Sequence, residues 1–404
     1  MEQVHALDPH DAAGLPAGNF SLVLGGPLYQ LLRRAHLCDD TLHHVRKRIL
    51  VIALLAWLPL AVLAGLEGRL LPGTVNVSFL QDVEVHVRFL LALPMLVAAE
   101  LLVHTRMGRI ARSFLERDLI PASHSKQFLA SIESAARLRN SIPAELLLVA
   151  LVYGVGVLLV WRQFVALPTD SWYALVSPEG SHLTLAGTWY GYVSLPLFQF
   201  LLLRWYFRIF IWARFLWQVT RIPLAVVPTH PDRLGGLGFL SQTVYAFSLV
   251  VVAHGTVLAG QLASRILYTG AKLTDFKAEL AVMAAFMALL VFGPLLAVAP
   301  QLAEARRTGL REYGSLAQRY VRAFDAKWLR GAAPADEPLV GTADIQSLAD
   351  LDGSYTVVKE MRLVPITRAA VLQLAAALLV PLTPLLLTIM PLEELLKLLA
   401  GILF

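Results

Sequence analysis

The sequence predicts an all-α integral membrane protein, with about seven transmembrane helices and amphipathic helices on the cytoplasmic side. Three observations predict it. The composition is 57% hydrophobic and only 16% charged, with a mean hydropathy of +0.63, whereas a soluble domain carries about 25% charged residues. Seven stretches approach the roughly 20 apolar residues that a bilayer crossing requires: about 49–66, 87–104, 144–162, 189–210, 238–262, 279–300 and 369–390. With the N-terminus cytoplasmic, 27 of the 34 Lys and Arg residues fall inside and 7 outside, the bias that orients membrane helices. A single cysteine, Cys38, excludes an intramolecular disulfide framework.

Four regions follow: a cytoplasmic N-terminal segment over 1–48, a six-span bundle over 49–300, a cytoplasmic helical region over 301–368, and a last span with an amphipathic tail over 369–404. Residues 1–35 lack the basic start of a secretory signal, so the first membrane helix is expected to direct insertion. Leu31, Leu32, Ala35 and Leu37 suggest a short amphipathic helix, and Asp39, Asp40 and Thr41 suit the cap of the first span. Over 105–143, apolar residues at helical spacing among Arg106, Arg109, Arg112 and Arg117 predict a cytoplasmic helical hairpin near the bilayer surface, turning at Pro121.

In the outer loop 163–188 and its flanks, Trp161, Trp172, Tyr173, Trp189, Tyr190 and Tyr192 suit an interfacial aromatic belt. Beyond the sixth span, Leu302, Leu310, Tyr313, Leu316, Tyr320 and Phe324 recur every three or four residues. They predict a long amphipathic helix, packing on the 105–143 hairpin or on a neighbouring subunit. Two short helices are expected at 343–351 and 354–363, separated by Gly353. Pro381 and Pro384 break the last span, and Leu392–Phe404 is too short to cross the bilayer.

The polar residues set against this apolar background are the candidates for function. Pro228–Leu240 crowds two prolines in the α-disfavouring stretch around His230, Asp232 and Arg233, followed by Gly235, Gly236 and Gly238. It reads either as an anion-binding nest of backbone amides or as a capped helix entry pinned by local pairing. It matches neither a Walker loop nor a dinucleotide fingerprint. In the fourth span, Arg204 and Arg208 lie one turn apart, with Arg204 about 22 Å from Trp189 at 1.5 Å per residue. That depth falls inside the cytoplasmic third of the hydrocarbon core, where arginine must snorkel, pair or face a water-filled cavity. Glu100 and His104 share a face of the second span and are placed to pair with each other or with Arg204 and Arg208. His254, beside Gly255 in the fifth span, suits a hydrogen bond to a backbone carbonyl at a close helix contact.

His36, Cys38, Asp39, Asp40, His43 and His44 resemble metal ligands only superficially, and no second half of a four-ligand site stands nearby, so no metal and no cofactor are expected. No nucleophile–base motif is present. Three pieces, His230–Leu240, Ala343–Leu351 and Met390–Lys397, resemble a group of uncharacterised bacterial polytopic inner-membrane proteins. That resemblance implies a bacterial inner-membrane location and no residue roles. The leading expectation is a channel or transporter for an anion or small charged solute. A membrane enzyme acting on a lipid or phosphorylated substrate through His230, Asp232 and Arg233 is the alternative, and a scaffold or sensor the third. Expected partners are membrane lipids and a second copy of the chain, with no nucleic acid.

Overall fold

The computed structural model describes residues 20–37, 44–165, 170–177, 180–334, 336–338 and 340–388. The chain is 77% helical with one two-stranded hairpin, which fixes the class as all-α. In order come α1 (Pro27–Arg34), α2 (Val45–Leu66), α3 (Val83–Glu116), α4 (Ser125–Arg139) and α5 (Ile142–Leu151), which is prolonged by a wide π-type helix over Val152–Val165. Strands β1 (Ala174–Ser177) and β2 (Gly180–Leu183) pair antiparallel. Then follow α6 (Leu185–Val219), α7 (Leu237–Thr269), α8 (Leu273–Leu329), α9 (Ala343–Lys359) and α10 (Arg368–Thr388).

Six of these helices, α2, α3, α6, α7, α8 and α10, are long and apolar enough to cross a membrane, and seven if α4 and α5, bent by 46°, make one span. Within the described residues, each of the seven apolar stretches read from the sequence lies on such an element. The helix starts follow side-chain chemistry. Ser141 caps α5 through Ala144 N–H, and Thr367 caps α10 through Ala370 N–H. At α6, Thr184 accepts from Gly187 N–H while Glu67 takes the N–H groups of Leu185 and Ala186. Together these side chains satisfy three of the four amides a helix start leaves open.

Helix α7 is the centre of the bundle, with 67% of its apolar window buried against 28% for α2. It packs on α3 and α10. The contact with α10 depends on Gly255: a Cβ there would lie 2.3 Å from Leu378 O. Small residues let membrane helices approach in this way. Helix α8 runs for 57 residues, about 85 Å at 1.5 Å per residue, so most of it must extend beyond a hydrocarbon core of about 30 Å.

Several expectations need correction. The amphipathic end of α8 packs on α9, rather than on the 105–143 hairpin. Tyr320 hydroxyl donates to Asp344 O (3.0 Å), and Lys327 and Trp328 Nε1 both reach the Asp344 carboxylate (2.8 and 2.9 Å). Helix α9 is continuous through Gly353 instead of two short helices. A mid-helix glycine costs only about 1 kcal/mol, and packing along α8 offsets it. The loop over 163–188 contains the β-hairpin, which no alternation in the sequence announced. Trp172, Tyr173 and Tyr190 are buried rather than interfacial, packed around Phe79 and one another. The proposed cap at Asp39–Thr41, the Trp161 side chain and the tail 392–404 lie outside the described residues.

Candidate functional site

The ends of α2, α3, α5 and α6 near which Lys and Arg concentrate bring five charged side chains together. Arg48 lies in the first turn of α2, Glu100 in α3, Glu145 in the first turn of α5, and Arg204 and Arg208 on one face of α6. All five are less than a tenth exposed. Glu100 is gripped from both sides: Arg48 Nη2 lies 2.6 Å from Oε2 and Arg208 Nη2 donates to Oε1 at 2.7 Å. Arg204 Nη2 lies 3.2 Å from Glu145 Oε1. The Arg208 guanidinium also stacks 4.6 Å from the Trp205 ring centre, a contact that favours a cation. Buried charges persist only when paired and hydrogen-bonded, and here three guanidiniums divide two carboxylates among the described residues.

Residues 20–28 close this cluster from the N-terminal side. Phe20 rests on Phe215 and Trp212, with ring centres 4.7 and 6.1 Å apart, and Leu22 and Val23 are fully buried. Ser21 Oγ accepts from the N–H groups of Val23 and Leu24, which leaves its proton for His104 Nδ1 at 2.9 Å. Arg139 Nη1 donates to Ser21 O (2.6 Å), and Leu28 N–H donates to Glu145 Oε2 (2.8 Å). Gly26, at φ 90°, is tight: a Cβ would lie 3.0 Å from Arg139 O and 3.2 Å from Glu145 Oε1. His104 therefore pairs with the N-terminal segment, not with Glu100.

The 228–240 loop is a different object. Asp232 accepts from Leu234 N–H (2.8 Å) and Gly236 N–H (3.2 Å) on Oδ1, and from Gly238 N–H (2.9 Å) on Oδ2. His230 Nδ1 lies 2.9 Å from Oδ1. Partial burial pushes this carboxyl's pKa up, but the three backbone donors outweigh burial and hold it below the ordinary carboxylate value. Of the two readings of this loop, the capped entry pinned by local pairing is the one the geometry matches, and the loop's own side chain fills the nest of amides. Arg233, at φ 56°, turns outward to Glu360 (2.7 Å), and its carbonyl accepts from Arg362 N–H (2.8 Å). Among the described residues no hydrogen bond or ion pair joins His230, Asp232 or Arg233 to Glu100, Arg204 or Arg208. The loop is a joint between α6, α7 and the chain after α9.

His254 Nδ1–H donates to Val250 O (2.7 Å), and Nε2 accepts from the Tyr206 hydroxyl (2.8 Å). Both ring nitrogens are occupied, so His254 is held as a packing element between α6 and α7. At the opposite end of the bundle stands a second polar group. Asp82 caps α3 through Val85 N–H (3.2 Å) and accepts from Trp172 Nε1 (2.9 Å). Burial pushes its pKa up, against the indole hydrogen bond. Arg88 pairs with Glu84 and donates to the Tyr190 hydroxyl (2.5 Å).

Sequence reading found Glu100, Arg204 and Arg208 but missed Arg48, Arg139 and Glu145. The first and last stand at span starts, where snorkelling is the ordinary expectation. A signal was present in Glu145, an acid in the first turn of an apolar span, where the helix dipole favours it. Among the described residues no group of three or more His, Cys, Asp or Glu is placed to hold a metal. Cys38, Asp39, Asp40 and His43 lie outside them. Comparison with known proteins gives no match among family models, curated proteins or solved structures.

Proposed function

We propose that this protein is a bacterial inner-membrane channel or transporter for a small oxyanion, oriented with its N-terminus in the cytoplasm. The observation that carries the reading is the sharing of Glu100 between Arg48 and Arg208, with Arg204 one turn away on Glu145. A guanidinium stays charged at any physiological pH, and its planar fork matches carboxylate and phosphate oxygens. An entering oxyanion has the acceptor geometry of Glu100 and balances the third cation. Exchange of Arg208 from Glu100 to the anion needs only a side-chain movement, once residues 20–28 withdraw. The Lys/Arg distribution supports the orientation. An enzyme centred on His230, Asp232 and Arg233 is disfavoured, because Asp232 is spent on three backbone amides and Arg233 on Glu360.

Purified protein in liposomes is expected to release a trapped oxyanion, and Arg204→Gln with Arg208→Gln to reduce that flux at least tenfold. Arg208→Lys keeps the charge and serves as the variant if the glutamine pair fails to fold. Absence of protein-dependent flux for nitrate, carboxylate and phosphate alike sinks the proposal. The orientation is read separately, by labelling single cysteines at Ser123 and Thr74 in a Cys38→Ser background. Reagent confined to the periplasm should reach position 74 and not 123.

A further inference from the structure

A notch of about 180 Å³ opens between α3 and the tight turn Leu237–Gln242 that begins α7, lined by Arg106, Arg109, Ile110, Ser113, Phe239 and Gln242. It is separate from the Arg48–Glu100–Arg208 cluster. Its polar lining offers two guanidiniums and a carboxamide as hydrogen-bond donors, while the Ser113 hydroxyl already donates to Arg109 O (3.0 Å). Arg106 and Arg109 sit three residues apart, hence on one helix face, and Ser113 follows one turn later. A third cation touches one lining residue: the Arg117 guanidinium lies 5.2 Å from the Phe239 ring centre. Arg106 lies 6.0 Å from the Tyr245 ring.

These arginines differ from those of the buried cluster in one respect. Each of Arg48, Arg204 and Arg208 has a carboxylate. Among the described residues, no carboxylate lies within ion-pair distance of Arg106, Arg109 or Arg117. The hydrogen bond shown for Arg109 runs from Nε to Thr105 O at 3.2 Å, which leaves its terminal nitrogens available. Cations converging on a concave surface without an internal counter-charge ask for an external anion. The depth suits one as well. Arg106 stands about 9 Å beyond Glu100 along α3 at 1.5 Å per residue, where a helix leaving the hydrocarbon meets the headgroup layer. The far wall is rigid, because Asp232 holds Gly236 and Gly238 and so fixes where Phe239 and Gln242 stand.

We propose that this notch binds a phosphate group, with Arg106 and Arg109 as its charged ligands and Gln242 as a polar one. Paired guanidinium forks satisfy the several oxygens of a phosphate, and the volume admits a headgroup but not an acyl chain. The same chemistry fits the phosphate of an anionic phospholipid and free inorganic phosphate, and the test separates them. Full-length protein in detergent is titrated with short-chain phosphatidylglycerol, with inorganic phosphate, and with short-chain diacylglycerol as the uncharged control.

Saturable binding of phosphatidylglycerol is expected, weakened at least tenfold by Arg106→Gln with Arg109→Gln and weakened by added salt. Arg33→Gln with Arg34→Gln, at the exposed end of α1, should leave it unchanged. If inorganic phosphate neither binds nor competes, the site reads a lipid headgroup; if inorganic phosphate binds and phosphatidylglycerol does not, the ligand is free phosphate. Arg109→Gln alone and Gln242→Ala, both at exposed positions, replace the double variant if that unfolds, each with at least a threefold loss. No saturation by either probe, equal binding in the notch variants, or an equal loss in the Arg33 and Arg34 variant overturns the proposal. The result does not depend on transport.

Discussion

At the scale of single residues, Asp232 and Glu100 show opposite uses of a carboxylate. Asp232 serves the backbone, and its lowered pKa has a consequence for pH. A group whose folded pKa lies below its unfolded value contributes stability above the unfolded value and loses it as pH falls through the folded one. Acidification through and below the ordinary carboxylate range should therefore loosen the loop. The protection factors of the Leu234, Gly236 and Gly238 amides against hydrogen exchange should fall there in the wild type and be low at all pH values in Asp232→Ala. Unchanged protection in the variant would show that Asp232 does not hold those amides. Glu100 serves other side chains. Glu100→Gln leaves two guanidiniums around a neutral amide and is expected to cost about 3–5 kcal/mol, read as a lowered unfolding midpoint. Combining it with Arg208→Gln should cost less than the sum of the two; strict additivity would show that the pair does not interact. Glu100, Arg204 and Arg208 were legible because charge inside an apolar stretch is conspicuous. The role of Asp232 was legible as one of two readings: a capped helix entry pinned by local pairing is readable beside an anion-binding nest, and the folded loop shows the aspartate filling that nest itself.

At the scale of elements, the apolar stretches were plain in the sequence because a bilayer crossing tolerates few interruptions. The β-hairpin was not, being only two strands of four residues each, too short for alternation to register. Helix α9 reads as two helices in the sequence because glycine is a poor helix former, yet it runs unbroken over Ala343–Lys359. At Gly353 a Cβ would meet nothing within 4 Å, so Gly353→Ala should stabilise the protein by about 0.5–1 kcal/mol. A destabilised Gly353→Ala, measured by thermal or denaturant unfolding of the detergent-solubilised protein, would favour two separate helices. Gly255 is the contrasting case: it is in a helix too, but a Cβ there would meet Leu378 O at 2.3 Å. Gly255→Val should separate α7 from α10 and lower the unfolding midpoint markedly, while the same substitution at Gly353 should have a small effect.

At the scale of the whole molecule, α7 forms a central post, and α3 and α6 carry the charges that face one another at the basic end. The N-terminal segment is part of that arrangement. Its buried residues Phe20, Leu22 and Val23 seal the end where Arg48, Glu100, Glu145, Arg204 and Arg208 meet. None of this closure was legible, since 20–28 is a short stretch of no marked periodicity and its contacts with His104, Arg139 and Glu145 span 83, 118 and 117 residues of chain. The most direct test of the transport reading is oxyanion release from liposomes containing the wild type, Arg204→Gln with Arg208→Gln, and Phe20→Ser. The reading predicts measurable wild-type flux, at least a tenfold fall in the arginine variant, and faster flux in Phe20→Ser, whose weakened seal exposes the cluster. Wild-type flux unaffected by loss of both arginines, or no flux from any of the three, would contradict it.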